Sequence, residues 1–470
     1  MNHPMPAAAG HLFAEHALLP GGWARDVLLG WDGAGRLLSV QVGASPGGAP
    51  RASGPVLPGM PNLHSHAFQR AMDGLTEYRG AAQDSFWSWR ELMYRFAGAL
   101  TPGRLEAIAT ALYVEMLEAG YTSVCEFHYV HHDGEGRPYA DDAEMSQRLL
   151  RAAQVTGIGI TLLPVLYQAS GFGGTPPSAG QRRFIRSTDN MLALLERLQP
   201  LCHAQGARLG LAPHSLRAVT PEALRDAVQG LAQLDPAAPI HIHIAEQVAE
   251  VEACLAWSGQ RPVQWLLDHA PVDTRWCLVH ATHMDAAEYA GAARSGAVAG
   301  LCPSTEANLG DGLFDVAQWR AAGGRWGVGS DSQATVSAAE ELMLLEYGQR
   351  LATRQRNVLA AEGQPWVATA MTLQAVSGGA QASARPAAGL APGQQADLVV
   401  LDASHPVLAG LPGPDAMLSA HVFASHRQSA IAEVRVGGEA CVQGGHHALG
   451  GQARAAFLAA RTELLQGTHA

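Results

Sequence analysis

Residues 56–66 read Val56-Leu57-Pro58-Gly59-Met60-Pro61-Asn62-Leu63-His64-Ser65-His66, an apolar run that ends in two histidines. Seven further runs share its character, at 122–130, 159–167, 208–214, 239–245, 276–280, 297–302 and 326–331. Most are continuously hydrophobic, as strands covered on both faces should be. Helical patterns separate them. For one of these, Thr101 offers an N-cap, Pro102 the first helical position and Gly120 the stop. After the last run, Ser337 and Glu340 have capping-box spacing. Eight alternations of strand and helix predict an α/β fold, a (β/α)₈ TIM barrel longer than the usual ~250 residues, with the excess in loops.

The flanks read differently. Short strands and turns are expected over 11–55, with strands at 24–29 and 36–42, and again over 385–445, with strands at 396–402 and 431–436. The division expected is therefore residues 1–57 and 385–470 as the two parts of one discontinuous β-sandwich domain, the second part closing with a terminal helix, around a barrel at 58–384. Gly43-Ala44-Ser45-Pro46-Gly47 matches a nucleophile elbow by spacing, but it sits in a Gly/Pro loop with no helix to open, so it is read as a chance match.

Composition narrows the function. With 47% hydrophobic and 16% charged residues, the chain is globular. A formal charge of −11 and no basic run argue against nucleic acid as a partner. No apolar run reaches the ~18 residues a membrane span needs. The first ten residues show no signal-peptide pattern. Six cysteines are scattered without a Cys-x-x-Cys pair, which fits reduced thiols and a cytoplasmic location. All 31 basic residues are arginine. A lysine Schiff base, a lysine general base and a carbamylated-lysine metal bridge are thereby excluded.

Polar residues gather at the C-terminal ends of the expected strands, where barrel enzymes carry their sites. Residues two apart on a strand share a side, so His64 and His66 face one way. His241-Ile242-His243-Ile244-Ala245-Glu246 repeats the device, with His243 nearer the strand end and Glu246 opening the next loop. His280 ends one strand, and Asp331 follows Gly327-Val328-Gly329-Ser330. Each has an ordinary structural reading, as a surface pair, a strand-end histidine or a helix N-cap. Their shared position at one end of separate strands favours a metal centre. Three histidines and an aspartate suit Zn²⁺, with Fe²⁺ or Mn²⁺ as alternatives. The missing lysine favours one divalent ion over two.

These motifs, with Gly393-Gln394-Gln395-Ala396-Asp397-Leu398-Val399-Val400-Leu401-Asp402, resemble the amidohydrolase superfamily over about residues 10–445, and its deaminase branch in particular. Within that branch, His66-Ala67-Phe68-Gln69-Arg70-Ala71-Met72, Phe86-Trp87-Ser88-Trp89-Arg90, Glu126-Phe127-His128-Tyr129 and Pro213-His214-Ser215-Leu216-Arg217 look like the formimidoylglutamate deiminase family. The resemblance implies metal ligands His64, His66, His243 and Asp331. It implies Glu246 as the proton shuttle, His280 as a hydrogen-bond partner of the activated water, and Asp331 as acceptor of that water's proton. Substrate contacts are implied for Gln69, Arg90, Tyr129, His214 and Arg217. The substrate implied is a small dicarboxylate amidine, N-formimino-L-glutamate, and homodimers are common in the family. Arginine is the only fixed cation this chain has for two carboxylates. Two rivals stand beside this reading: a deaminase or dechlorinase of a neutral heterocycle such as guanine, adenosine or a triazine, and a non-catalytic scaffold. His131, His132, His446 and His447 are expected to bind no metal.

Overall fold

Gly59 divides the opening apolar run in two. In the computed structural model, which describes residues 9–77, 86–424 and 428–468, Val56–Pro58 pairs antiparallel with Leu398–Leu401, whereas Met60–Ser65 pairs parallel with Tyr121–His128. A Cβ on residue 59 would lie 2.3 Å from the Thr122 side chain, so only glycine lets the chain pass there between two sheets.

The barrel strands are β1 (Met60–Ser65), β2 (Tyr121–His128), β3 (Gly159–Leu166), β4 (two short pieces, Arg208–Leu209 and Ala212–Pro213), β5 (Ile240–Ile244), β6 (Trp276–His280), β7 (Val298–Leu301) and β8 (Arg325–Val328). All pair parallel to their neighbours. Single bridges, Leu211 to Ile240 and Ser65 to Asp331, close the ring between β4 and β5 and between β8 and β1. The break in β4 falls at Gly210, where a Cβ would meet the Pro239 carbonyl at 2.4 Å. The helix Pro102–Glu118 starts as its sequence requires: Thr101 Oγ1 accepts from the Arg104 amide and Pro102 needs no partner. At Ala338–Thr353 only half the expected capping box forms. Ser337 Oγ accepts from the Glu340 amide, but the Glu340 carboxylate takes the Thr335 hydroxyl instead.

Both chain ends build a second sheet. Its order runs His446–His447, Glu439–Gln443, Ile431–Val436, Leu398–Leu401, Val56–Pro58, Gly10–Leu19, Gly22–Trp31, Leu37–Gln41. These strands, expected as a sandwich, form one unbroken hydrogen-bonded path around a small core that includes Leu12, Val27, Leu29, Val56, Leu398 and Val400. Gly10–Leu19 is a full ten-residue strand that the sequence does not announce, because its buried positions come as a run of three and a run of two and not in alternation. Residues 43–47 form a loop with no helix after them. The terminal helix Gly450–Thr468 lies on Pro102–Glu118. All six cysteines are free, and no helix of the described residues is long and apolar enough to cross a membrane.

Candidate active site

β1 ends at Ser65, so His64 sits at the last inward level of the strand and His66 just past it, at the entry to a short 3₁₀ turn, Ala67–Met72. His243 is the next-to-last residue of β5 and His280 the last of β6. Asp331 lies three residues beyond β8. The four side chains of His64, His66, His243 and Asp331 are buried and converge, with ligand atoms within 4.8 Å of one another. His64 Nε2 is 3.1 Å from His66 Nε2 and 3.0 Å from His243 Nε2. Asp331 Oδ1 is 3.4 Å from His64 Nε2 and 3.3 Å from His66 Nε2. Ligand atoms ~2.0–2.2 Å from one tetrahedral Zn²⁺ stand about 3.3 Å apart, so this donor set fits one such ion.

The rings are oriented for that purpose. His66 Nδ1 meets the Phe127 carbonyl at 2.9 Å and His243 Nδ1 meets the His214 carbonyl at 3.1 Å. A carbonyl can only accept, so each Nδ1 keeps its proton and each Nε2 presents a lone pair to the centre. Burial pulls all three imidazoles toward the neutral, ligating form, His64 to about 3. Burial alone would raise the Asp331 carboxyl, but His64, His280 and His66 beside it hold it well below the usual carboxylate range.

The backbone at three of these strand ends is left-handed: Ala245 at φ 50°, His280 at φ 65° and Asp331 at φ 46°. Non-glycine residues adopt this region only at a cost of about 1–3 kcal/mol. A buried polar lattice holds Asp331 there. Its amide donates to the His64 carbonyl at 2.9 Å and its carbonyl accepts from the His66 amide at 3.1 Å. The Gln333 amide nitrogen donates to the same carbonyl at 2.6 Å and to Ser65 Oγ at 3.0 Å. Asn62 ties in Ser330 Oγ at 2.7 Å.

Glu246 follows the Ala245 turn, with Oε1 3.7 Å from His280 Nε2. His280 Nε2 is also 3.6 Å from Asp331 Oδ2, while its Nδ1 faces Glu306 Oε1 at 3.3 Å. Burial raises the Glu246 carboxyl to about 7, against the pull of His280 and Arg217. Burial lowers His280, but Glu246, the Glu306 bond and Asp331 outweigh it and lift the imidazole to about 10.

A cavity opens over this cluster. Gln69, Arg90, Tyr129, His214 and Arg217, the five substrate contacts expected from the sequence, all line it, as do Glu246, His280 and Asp331. Gln69 Nε2 donates to Tyr129 Oη at 2.8 Å. Arg217 is half-buried, and its Nε has no partner among the described residues. The side chains of Phe86, Trp87 and Ser88, part of the aromatic stretch before Arg90, lie outside the described residues. His131, His132 and His447 bond the carbonyls of Val165, Ile185 and Thr156 and take no part in the cluster. Sequence reasoning missed Glu306, Tyr94 and Tyr167. Tyr94 had a signal, since it lies four residues after Arg90 on the helix Phe86–Ala99 and so shares its face. Glu306 had none, since it comes from the short helix Pro303–Leu309 after β7, which carries no motif.

The sequence profile of the Amidohydrolase family matches residues 56–441, and that of the N-terminal domain of formimidoylglutamate deiminase HutF matches residues 10–54. The chain is 54% identical to the formimidoylglutamate deiminase of Pseudomonas aeruginosa over 97% of its own length and 99% of the relative. It is 29% identical to the 8-oxoguanine deaminase of the same organism over 73% of its length and 74% of that protein. The crystal structure of an amidohydrolase from Brucella melitensis superposes with a TM-score of 0.91 at 49% identity, covering 97% of this chain and all of that one.

Proposed function

We infer, for a chain that belongs to the amidohydrolase family and within it to the formimidoylglutamate deiminases, that it hydrolyses N-formimino-L-glutamate to N-formyl-L-glutamate and ammonia in histidine breakdown. The observation that carries this reading is the shared cavity: two arginines line the same space as a buried His₃Asp cluster and a glutamate that follows one of its histidines. A dicarboxylate amidine needs cations for its carboxylates and an acid–base group for its imine; a neutral heterocycle such as guanine needs only the second.

His64, His66, His243 and Asp331 would hold one divalent ion, with Zn²⁺ the first choice and Fe²⁺ the second. When bound, such an ion polarises a water and brings its pKa toward neutrality. Asp331 would be the group placed to accept a proton from the water that attacks the formimino carbon. His280, held by Glu306, hydrogen-bonds the attacking oxygen and the charge that develops on it. Glu246 has a carboxyl poised near neutral pH, so it can protonate the imine nitrogen, take the proton from the hydroxyl of the tetrahedral adduct and deliver it to the departing ammonia. The C–N bond to the departing nitrogen breaks and the formyl C=O forms. Gln69, Tyr129 and His214 border the reacting end, while Arg90 and Arg217 meet carboxylates. A cytoplasmic location and a homodimer belong to the same reading; sedimentation of the purified protein measures the second.

Ammonia release is the test. Purified protein loaded with zinc is expected to release ammonia from N-formimino-L-glutamate and none from guanine. Release from guanine alone overturns the assignment, and no hydrolysis of any small amidine or aminoazine by protein of full metal content supports a silent scaffold instead.

A further inference from the structure

Two tyrosines that line the cavity share one amide. Gln181 Nε2 donates to Tyr167 Oη at 2.7 Å and faces Tyr94 Oη at 3.2 Å. The orientation of that amide is fixed, because Gln181 Oε1 accepts the Ser178 backbone N–H at 2.7 Å. Gln181 and Tyr167 are buried, and Tyr94 is partly buried. Gly180 lies against the Tyr94 ring, where a Cβ would come within 2.9 Å. The loop before the helix Thr188–Ala204 thus locks a face of the helix Phe86–Ala99 that also carries Arg90.

An amide nitrogen can only donate, so Gln181 places both phenol oxygens in the accepting role. The two hydroxyls also lie within hydrogen-bonding reach of each other, so one phenol can donate to the other and one hydroxyl proton of the pair is left to point into the cavity. Both tyrosines line the cavity, together with Arg90 and Arg217. The Arg90 guanidinium sits 5.6 Å from the Tyr94 ring centroid. Between Tyr167 and the metal-ligand candidate His243 stands the His214 ring, with centroids 4.6 Å from the first and 4.9 Å from the second. Tyr167 is therefore set back from the cluster by the width of one ring.

We propose that the Tyr167–Tyr94 hydroxyl pair determines specificity by donating a hydrogen bond to the side-chain carboxylate of the substrate, beside Arg90 and Arg217, with Gln181 as the residue that positions both hydroxyls. The proposal rests on the deiminase reading and names which groups select its dicarboxylate.

The experiment compares wild type, Tyr167→Phe, Tyr94→Phe and Gln181→Met on two substrates, N-formimino-L-glutamate and N-formimino-L-glutamine, which differ only in the charge at the remote end. Binding of N-formyl-L-glutamate and N-formyl-L-glutamine is measured by calorimetry in parallel. A hydrogen bond to a charged group supports a loss of roughly 10- to 100-fold in kcat/KM for Tyr167→Phe on the glutamate compound, carried by KM, with less than about 3-fold on the glutamine compound. Tyr94→Phe is expected to follow with a smaller loss. Gln181→Met should raise KM for the glutamate compound alone, with kcat held within about 3-fold, which a general loosening of the fold would not produce. Equal losses on both substrates, or no loss on either, overturn the proposal. If wild type releases no ammonia, the deiminase reading falls by itself. The calorimetric series then decides the tyrosines separately: weaker binding of the dicarboxylate only, in Tyr167→Phe, upholds them, and unchanged binding removes them.

Discussion

The barrel contains two His-x-His pairs, and they end differently. On β1 both histidines reach the cluster, because the strand stops at Ser65 and His66 folds over the rim from the turn that follows. On β5 only His243 does. His241 points to the same side but one level deeper, where its Nε2 meets the Ala382 carbonyl at 2.8 Å near the end of the helix Val367–Ser383. Two residues of strand are about 6.6 Å of rise, which exceeds the span of a metal centre. The same dipeptide spacing thus supplies two ligands or one ligand and a strut, depending on where the strand ends relative to the cluster. The fourth donor comes from Asp331, and the residue β5 gains in place of a second ligand is Glu246, delivered by the left-handed turn at Ala245.

Removing His243 makes the largest difference. His243→Ala is expected to cut metal content per chain sharply and activity by on the order of 10⁴-fold or more, as read by elemental analysis and ammonia release. Full metal content in that variant would dissolve the distinction between the two pairs. Glu246→Gln comes next. It keeps the donors and removes the proton, so metal content should stay at the wild-type level while kcat falls about 10²- to 10⁴-fold. A near-normal kcat would mean that the Ala245 turn delivers nothing the reaction uses.

Much of this was legible in sequence, and the limits are physical. The eight barrel runs were readable because parallel strands covered on both faces must be continuously apolar. The donors were readable because polar residues that interrupt such runs at one end have few alternatives to a shared site. Depth was readable in outline, since His243 could be placed nearer the strand end than His241 and Glu246 at the start of the loop, but the left-handed geometry at Ala245, His280 and Asp331 has no glycine to mark it. Glu306, on the short helix Pro303–Leu309, and the Gln181 amide, on a single 3₁₀ turn, are brought in by tertiary packing, for which the local pattern carries no period; Tyr167 directly follows β3, but nothing there says what its hydroxyl meets. The strand Gly10–Leu19 escaped for the opposite reason, since its burial follows the second sheet's neighbours and not a two-residue alternation.

Arg217 ties the comparison to the substrate. The carbonyl that orients His243 belongs to His214, three residues before Arg217, so one strand end supports the metal ligand and supplies a cation to the cavity. Arg217→Met is expected to leave metal content unchanged and to lower kcat/KM for N-formimino-L-glutamate roughly 10- to 100-fold, the worth of a charge-assisted hydrogen bond. An unchanged kcat/KM would take this arginine out of substrate binding.

The smallest effect on chemistry, and the sharpest test of the comparison, lies at His241. Its side chain is fully buried, and burial holds it neutral, lowered to about 4 against the Ala382 bond that favours its charged form. Leucine fills a similar volume but cannot donate, so His241→Leu leaves the Ala382 carbonyl without that partner. The cost expected is about 1–3 kcal/mol, seen as a lowered Tm, while metal per folded chain and kcat stay near wild type. The neighbouring ligand should tolerate this because the His214 carbonyl, and not His241, sets its ring. If the metal leaves as well, then the strut and the ligand are one unit, and the depth of the second pair is not what separates their roles.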